Sequence, residues 1–237
     1  MLRIAISGAA GKMGGRIINL IAKDSSLKLT ATLEQNGHSA IGRDVCGIEI
    51  SDNPGNIKDA DCLIEFATPR ASIEHLEAVL KYKKPMVIGT TGLSPEENLK
   101  IRKASKVIPI VFSPNMSIGV NIFFKLVKLA AQSLPKDYFA SIIEAHHVHK
   151  KDAPSGTAKR IAGIIKAEGG EIKNIESIRE GEIIGDHRIS FEGPFDKIEL
   201  FHSAKTRDIF AQGALKAAKW VIDKQPGIYN MQDVLKK

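Results

Sequence analysis

The run from Leu2 to Ile21 restricts this chain more than any other segment. A short apolar stretch, Leu2–Ser7, passes directly into Gly8-Ala9-Ala10-Gly11-Lys12-Met13-Gly14. A helical pattern follows, with Met13, Ile17, Leu20 and Ile21 on one face. Strand, glycine turn and helix in that order are what a pyrophosphate site requires. Gly8 permits the tight turn, the small Ala10 lets backbone approach the phosphates, and Gly14 allows close helix–sheet packing. The start of the helix then offers N–H groups and a positive dipole end to an anion. Glu34 stands at the end of the next apolar run, about 20 residues beyond Gly14, where an acidic side chain can accept from ribose hydroxyls. A glycine turn without a ligand and an exposed glutamate at a strand end are the plain alternatives. The two features at this separation favour a dinucleotide. Gln35 offers no charge to a 2′-phosphate, whereas Lys12 could supply one.

Up to residue 113 the chain alternates short, continuously apolar runs (27–33, 62–66, 85–88, 107–112) with amphipathic segments at 72–82 and 95–103. This is the pattern of a parallel sheet covered on both faces. Gly89-Thr90-Thr91-Gly92 and Ser113-Pro114-Asn115-Met116 each follow one of these runs, at the strand ends where open α/β sheets take ligands. After Pro114 the pattern changes to a long helix at 117–134, a strand at 140–145 and a helix at 155–167. A strand-rich stretch at 175–204 carries turn signals that suggest antiparallel pairs, and a last helix covers 209–222. The fold class expected is α/β: an N-terminal Rossmann-like doubly wound parallel sheet plus a smaller α+β domain for substrate and oligomerisation. Residues 1–116 would form the dinucleotide-binding domain, completed by 207–237, with 117–206 as the second domain.

The most unusual segment is Glu144-Ala145-His146-His147-Val148-His149-Lys150-Lys151-Asp152-Ala153-Pro154-Ser155-Gly156-Thr157, which holds three of the chain's seven histidines. A metal site and an idle polar loop are the alternatives. The adjacent lysines oppose a cation, and no ligand-spaced Cys or Glu pair accompanies the histidines, so no metal is expected. Imidazole beside ammonium instead suits proton handling. Pro154 fits a first helical turn, so the N–H groups of Ser155, Gly156 and Thr157 would face outward as a nest for a carboxylate or phosphate.

Composition removes other classes. The net charge is +7, but the lysines are scattered and only 5% of residues are aromatic, so nucleic-acid binding is not expected. No apolar run reaches membrane-span length, the first residues lack the features of a signal peptide, and two cysteines make no disulfide framework. A cytoplasmic protein is expected.

The sequence resembles the 4-hydroxy-tetrahydrodipicolinate reductase (dihydrodipicolinate reductase) family along nearly its whole length. The resemblance is carried by E-A-H-H-x-H-K-x-D-A-P-S-G-T at Glu144–Thr157 and by G-A-x-G-x-M-G at Gly8–Gly14. G-T-T-G at Gly89–Gly92, N-x-S-x-G-V-N at Asn115–Asn121 and F-A-x-G-A-L at Phe210–Leu215 add to it. It implies reduction of 4-hydroxy-tetrahydrodipicolinate, by way of dihydrodipicolinate, to tetrahydrodipicolinate in the diaminopimelate route of lysine biosynthesis. His146 would act as proton donor or acceptor and Lys150 as proton donor. His147, Ser155, Gly156 and Thr157 would hold the substrate carboxylates. Gly8, Ala9, Ala10, Gly11, Lys12, Met13, Glu34, Gly89, Thr90, Thr91, Ser113, Pro114, Asn115 and Met116 would contact NADH, NADPH or both. The resemblance also implies a homotetramer joined through the sheets of the second domain. Gln35 stands where some members carry Arg, and the chain is short for the family, so trimmed surface loops are expected. Two other classes stay open on the residues alone: a different two-domain NAD(P)-dependent oxidoreductase acting on a small anionic imine or aldehyde, and a nucleotide-binding module without activity.

Overall fold

The structure is a computed structural model that describes residues 1–236. The chain forms two compact units, one of Met1–Ile118 together with the chain from Asp208 onward, the other of Gly119–Arg207. In order, the first part of the chain contributes β1 (Leu2–Ser7), α1 (Lys12–Ile21), β2 (Leu27–Leu33), β3 (Asp44–Val45), β4 (Ile48–Ser51), β5 (Cys62–Glu65), α2 (Pro69–Tyr82), β6 (Met86–Ile88), α3 (Pro95–Ala104) and β7 (Pro109–Phe112). Then come α4 (Ile118–Ser133), β8 (Phe139–His146), α5 (Gly156–Ala167), β9 (Glu171–Arg179), β10 (Asp186–Glu192) and β11 (Lys197–Ser203). The chain returns to the first unit with α6 (Asp208–Val221), β12 (Gly227–Tyr229) and α7 (Met231–Val234).

The first unit is built on an eight-stranded sheet in the order β12-β7-β6-β5-β1-β2-β4-β3. All its pairings are parallel except the β3–β4 hairpin. Because side chains alternate across a strand, the apolar runs serve two cores at once. Ile4, Ile6, Cys62, Ile64, Val87 and Val111 pack with α1 and α6. Ala5, Leu63, Met86, Ile88 and Ile110 pack with α2 and α3 on the other face. Strand order reverses at β1, which lies between β2 and β5, and this switch point is where an open α/β sheet leaves a crevice beyond its carboxyl ends.

The helix starts are locally encoded. Thr68 accepts from the Ala71 N–H at the head of α2, three residues earlier than the apolar periodicity predicts, with Pro69 in the first turn. Ser94 and Glu97 form a reciprocal capping box at the head of α3. α1 differs, since its N-cap is Gly11 and no side chain caps it.

The second unit is a four-stranded sheet, β11-β10-β8-β9. Its inner face packs on α4 and α5 through Ala140, Ile142, Ile189 and Phe191 against Phe123, Val127, Ile161 and Ile165. The turn signals within 175–204 point to antiparallel pairs, which holds there for β10–β11; β10 also pairs antiparallel with the earlier β8. β9 departs from that expectation: it pairs parallel to β8, with α5 as the crossover between them. A twelve-residue helix is long enough to return the chain to the start of the sheet, and a parallel pair needs such a crossover.

Candidate active site

In the first unit, the expected cofactor residues all fall at the carboxyl ends of β1, β2, β6 and β7. Gly8 has φ of +75°, and a Cβ there would stand 2.5 Å from the Phe66 carbonyl oxygen. A Cβ on Gly14 would stand 2.1 Å from the Gly8 carbonyl oxygen, so α1 meets the turn at a distance only glycine allows. The turn is held from below, the N–H groups of Gly8 and Ala9 both donating to the Leu33 carbonyl oxygen. Glu34 is buried, and its Oε1 accepts from the Ala10 N–H at 2.9 Å. Ala10, Gly11 and Lys12 are exposed at a helix start that no side chain caps, which leaves its positive end open to an anion.

The other expected residues divide by orientation. Gly89 lies against the Phe66 ring, where a Cβ would come within 2.3 Å. Thr90 is buried with its hydroxyl accepting from Ser72 at 2.9 Å, while Thr91 is exposed. Ser113 donates to the Asn115 carbonyl oxygen at 2.9 Å, which shapes that loop, and Pro114 is exposed. Ala9 and Met116 belong to the core, so only their backbones are left for a ligand. Sequence reasoning missed a buried network beneath this loop cluster. Ser7 Oγ donates to Glu65 Oε1 (3.0 Å), and His75 Nδ1 lies 2.7 Å from Glu65 Oε2. Glu65 Oε1 also accepts from the Ala67 N–H, so one carboxylate ties the ends of β1 and β5 together.

In the second unit, His146 ends β8 and the loop beyond it carries His147, Lys150 and Asp152 to the head of α5. Lys150 Nζ donates to Asp152 Oδ1 at 2.7 Å. His147 is half-buried, and its buried Nδ1 lacks a partner among the described residues. Gly156, the first residue of α5, is exposed. Ser155 departs from the outward orientation expected of it. Its N–H donates to Glu144 Oε1 (3.2 Å), its Oγ accepts from the Ala158 N–H, and the same Oγ lies 3.2 Å from His187 Nε2. A residue that caps a helix beside a buried carboxylate satisfies those groups first.

The central group is Glu144, a fully buried carboxylate on β8. Arg179 from β9 donates to both its oxygens, Nη1 at 3.1 Å and Nη2 at 2.8 Å, and His146 Nδ1 lies in hydrogen-bond contact with Oε2. Burial alone would raise the carboxyl, but hydrogen bonds from Arg179, Ser177 and His146 outweigh it and push it down to about 2. Burial lowers His146 below the usual imidazole range, against the pull of Glu144 and with repulsion from Lys150 and Arg179. His187, on β10, is pushed down to about 3, chiefly by burial and then by His146, whose ring it meets edge-on at 5.2 Å. Arg179 and His187 gave no sequence signal, because each enters through strand pairing with distant residues.

A dinucleotide-binding α/β unit carrying an inserted α+β unit with a His/Lys cluster is the architecture of a nicotinamide-dependent oxidoreductase. The family model described as dihydrodipicolinate reductase, N-terminus, matches residues 2–116, and the one described as dihydrodipicolinate reductase, C-terminus, matches 119–235. The chain belongs to the dihydrodipicolinate reductase family. It is 40% identical over 264 aligned residues to the 4-hydroxy-tetrahydrodipicolinate reductase of Syntrophus aciditrophicus, covering 99% of this chain and 98% of the relative. The enzyme of that name from Geobacter metallireducens is also 40% identical, with 99% of each chain covered. Among solved structures, a dipicolinate-bound dihydrodipicolinate reductase from Paenisporosarcina sp. TG-14 superposes with a TM-score of 0.84 at 25% identity, covering 99% of this chain and 100% of that one. A probable dehydrogenase from Thermotoga maritima shares the fold at a TM-score of 0.66 and 15% identity, with 98% and 92% covered.

Proposed function

We propose that this chain reduces 4-hydroxy-tetrahydrodipicolinate to tetrahydrodipicolinate with NADH or NADPH, releasing water, in the diaminopimelate route to lysine. The observation that carries this reading is the grouping of His146, Lys150 and the head of α5 at one end of β8, in a chain both of whose parts match the family. Gly8 to Met13 hold the diphosphate on the start of α1. Glu34, with Oε1 engaged by the turn, reaches the adenosine ribose with Oε2, and the loops at Gly89–Thr91 and Ser113–Met116 line the remainder. The bound nicotinamide supplies the hydride. His147 and the first turn of α5, from Ser155 to Thr157, hold the two substrate carboxylates, Ser155 chiefly by fixing the helix start. Lys150, oriented by Asp152, stabilises developing negative charge and gives the substrate the proton that accompanies the hydride.

Assembly and location follow from the same reading. The outer face of the four-stranded sheet presents Phe139, Ile143, Ile178 and the largely exposed Phe201, an apolar surface suited to the sheet-to-sheet contacts of a homotetramer. No helix among the described residues is long and apolar enough to cross a membrane, in keeping with a cytoplasmic biosynthetic enzyme.

Purified protein supplied with enzymatically generated substrate tests the assignment. Lys150→Ala is expected to lower turnover about 10²–10⁴-fold, and His146→Gln by less, with both variants folded. Near-wild-type rates in both variants would overturn the assignment of these residues.

A further inference from the structure

We infer that Glu144 is a positioning residue that fixes His146 as an acceptor, holding the ring in its Nδ1–H form with Nε2 presented over Gly185. This deepens the reading of His146 and Lys150 as reacting groups and rests on it. Glu144 can only accept, since Arg179 donates to both of its oxygens and the Ser155 N–H to one of them. The hydrogen on the bond between His146 Nδ1 and Glu144 Oε2 therefore belongs to the histidine. In the neutral ring that leaves the lone pair on Nε2, which has no hydrogen-bond partner among the described residues.

Gly185 makes Nε2 reachable. A Cβ on Gly185 would stand 3.1 Å from Nε2, 3.5 Å from Cδ2 of the same ring and 3.8 Å from His187 Cε1. The φ of Gly185 lies outside the left-handed region, so its backbone does not demand glycine and the missing side chain is what matters. His187 supports the ring from the neighbouring strand, edge-on at 5.2 Å, and is itself tied to Ser155. The charged and titratable groups facing His146 are Glu144 on its own strand, Lys150 in the following loop, Arg179 on β9 and His187 on β10. Burial, with repulsion from Lys150 and Arg179, holds the ring below the usual imidazole range against the pull of Glu144 and so favours its neutral form. A neutral Nδ1–H imidazole has no proton to give at Nε2. The proton that enters with the hydride comes from the Lys150 ammonium, which becomes an amine and is reprotonated by solvent, while His146 accepts a hydrogen bond at Nε2.

Two-bond ¹H–¹⁵N imidazole spectra of histidine-labelled protein at neutral pH, assigned with His146→Gln, read the tautomer without turnover. The expected result is a neutral His146 protonated at Nδ1, with Nε2–H becoming populated in Glu144→Gln. An imidazolium or an Nε2–H ring in the wild type would overturn the inference. Should Glu144→Gln not fold, Gly185→Ala carries the kinetic arm. It is expected to stay folded and to lose about 10–100-fold in kcat, with KM for the nicotinamide changed less than about twofold. A wild-type rate in Gly185→Ala would show that Nε2 is not used from that side. A correct tautomer in a protein inactive on the cyclic substrate would sink the functional reading and leave the positioning role intact.

Discussion

His187 shows how burial at one residue reaches the behaviour of the molecule. The residue is 4% exposed and its imidazole is pushed down to about 3 from 6.5, chiefly by burial. Between those two pH values the unfolded chain binds a proton that the folded chain does not, so stability falls as pH falls. The slope approaches about 1.4 kcal/mol per pH unit for one proton. His146, also lowered by burial, adds to this in the same direction. Glu144 acts lower down: its ion pair stabilises fully above 4.5, and that contribution is lost as pH falls towards about 2. Urea unfolding at a series of pH values should give a shallower acid slope for His187→Gln by about one proton, and an unchanged slope would contradict the account of its burial. A second residue-scale prediction concerns cofactor choice. With the cofactor contacts proposed above, Glu34 would repel a 2′-phosphate and the exposed Gln35 would offer it nothing, so NADH should equal or exceed NADPH in kcat/KM by no more than roughly 1–2 kcal/mol. Gln35→Arg should shift the ratio towards NADPH, because a guanidinium binds phosphate through paired hydrogen bonds. A hundredfold NADPH preference in the wild type would place the phosphate ligand elsewhere.

At the scale of elements, the junction of β1 and α1 sets the sharpest constraint. Alanine is favoured over glycine within a helix by about 1 kcal/mol, yet a Cβ on Gly14 would sit 2.1 Å from the Gly8 carbonyl oxygen. Backbone atoms cannot yield as a side chain can, so Gly14→Ala must displace the turn. Dinucleotide affinity should fall at least about tenfold in a fluorescence titration, while tight binding would mean the turn is softer than its contacts imply. This junction was legible in the sequence because strand, turn and helix adjoin, and so were the continuously apolar central strands. Less was legible where the signal is short or distant. β3, β4, β12 and α7 went unread, since two to four residues carry no periodicity. The parallel placement of β9 depends on a crossover through α5 rather than on the composition of the strand. In the site, the His/Lys loop was plain, but Arg179 and His187 enter through register with β8, and the inward turn of Ser155 follows from a carboxylate eleven residues earlier.

At the level of the whole molecule, two cores on the faces of the large sheet and a third behind the small one hold the loops on which most of the proposed site residues stand. The proposed reaction is reduction of the cyclic hydroxylated dicarboxylate. It is tested most directly by following nicotinamide absorbance in steady state, with substrate generated enzymatically in the same cuvette and NADH or NADPH varied. Oxidation of both cofactors is expected in equal amount to the substrate formed, dependent on this protein and strongly reduced in Lys150→Ala. Dinucleotide binding with no oxidation of either cofactor above the protein-free rate would contradict it.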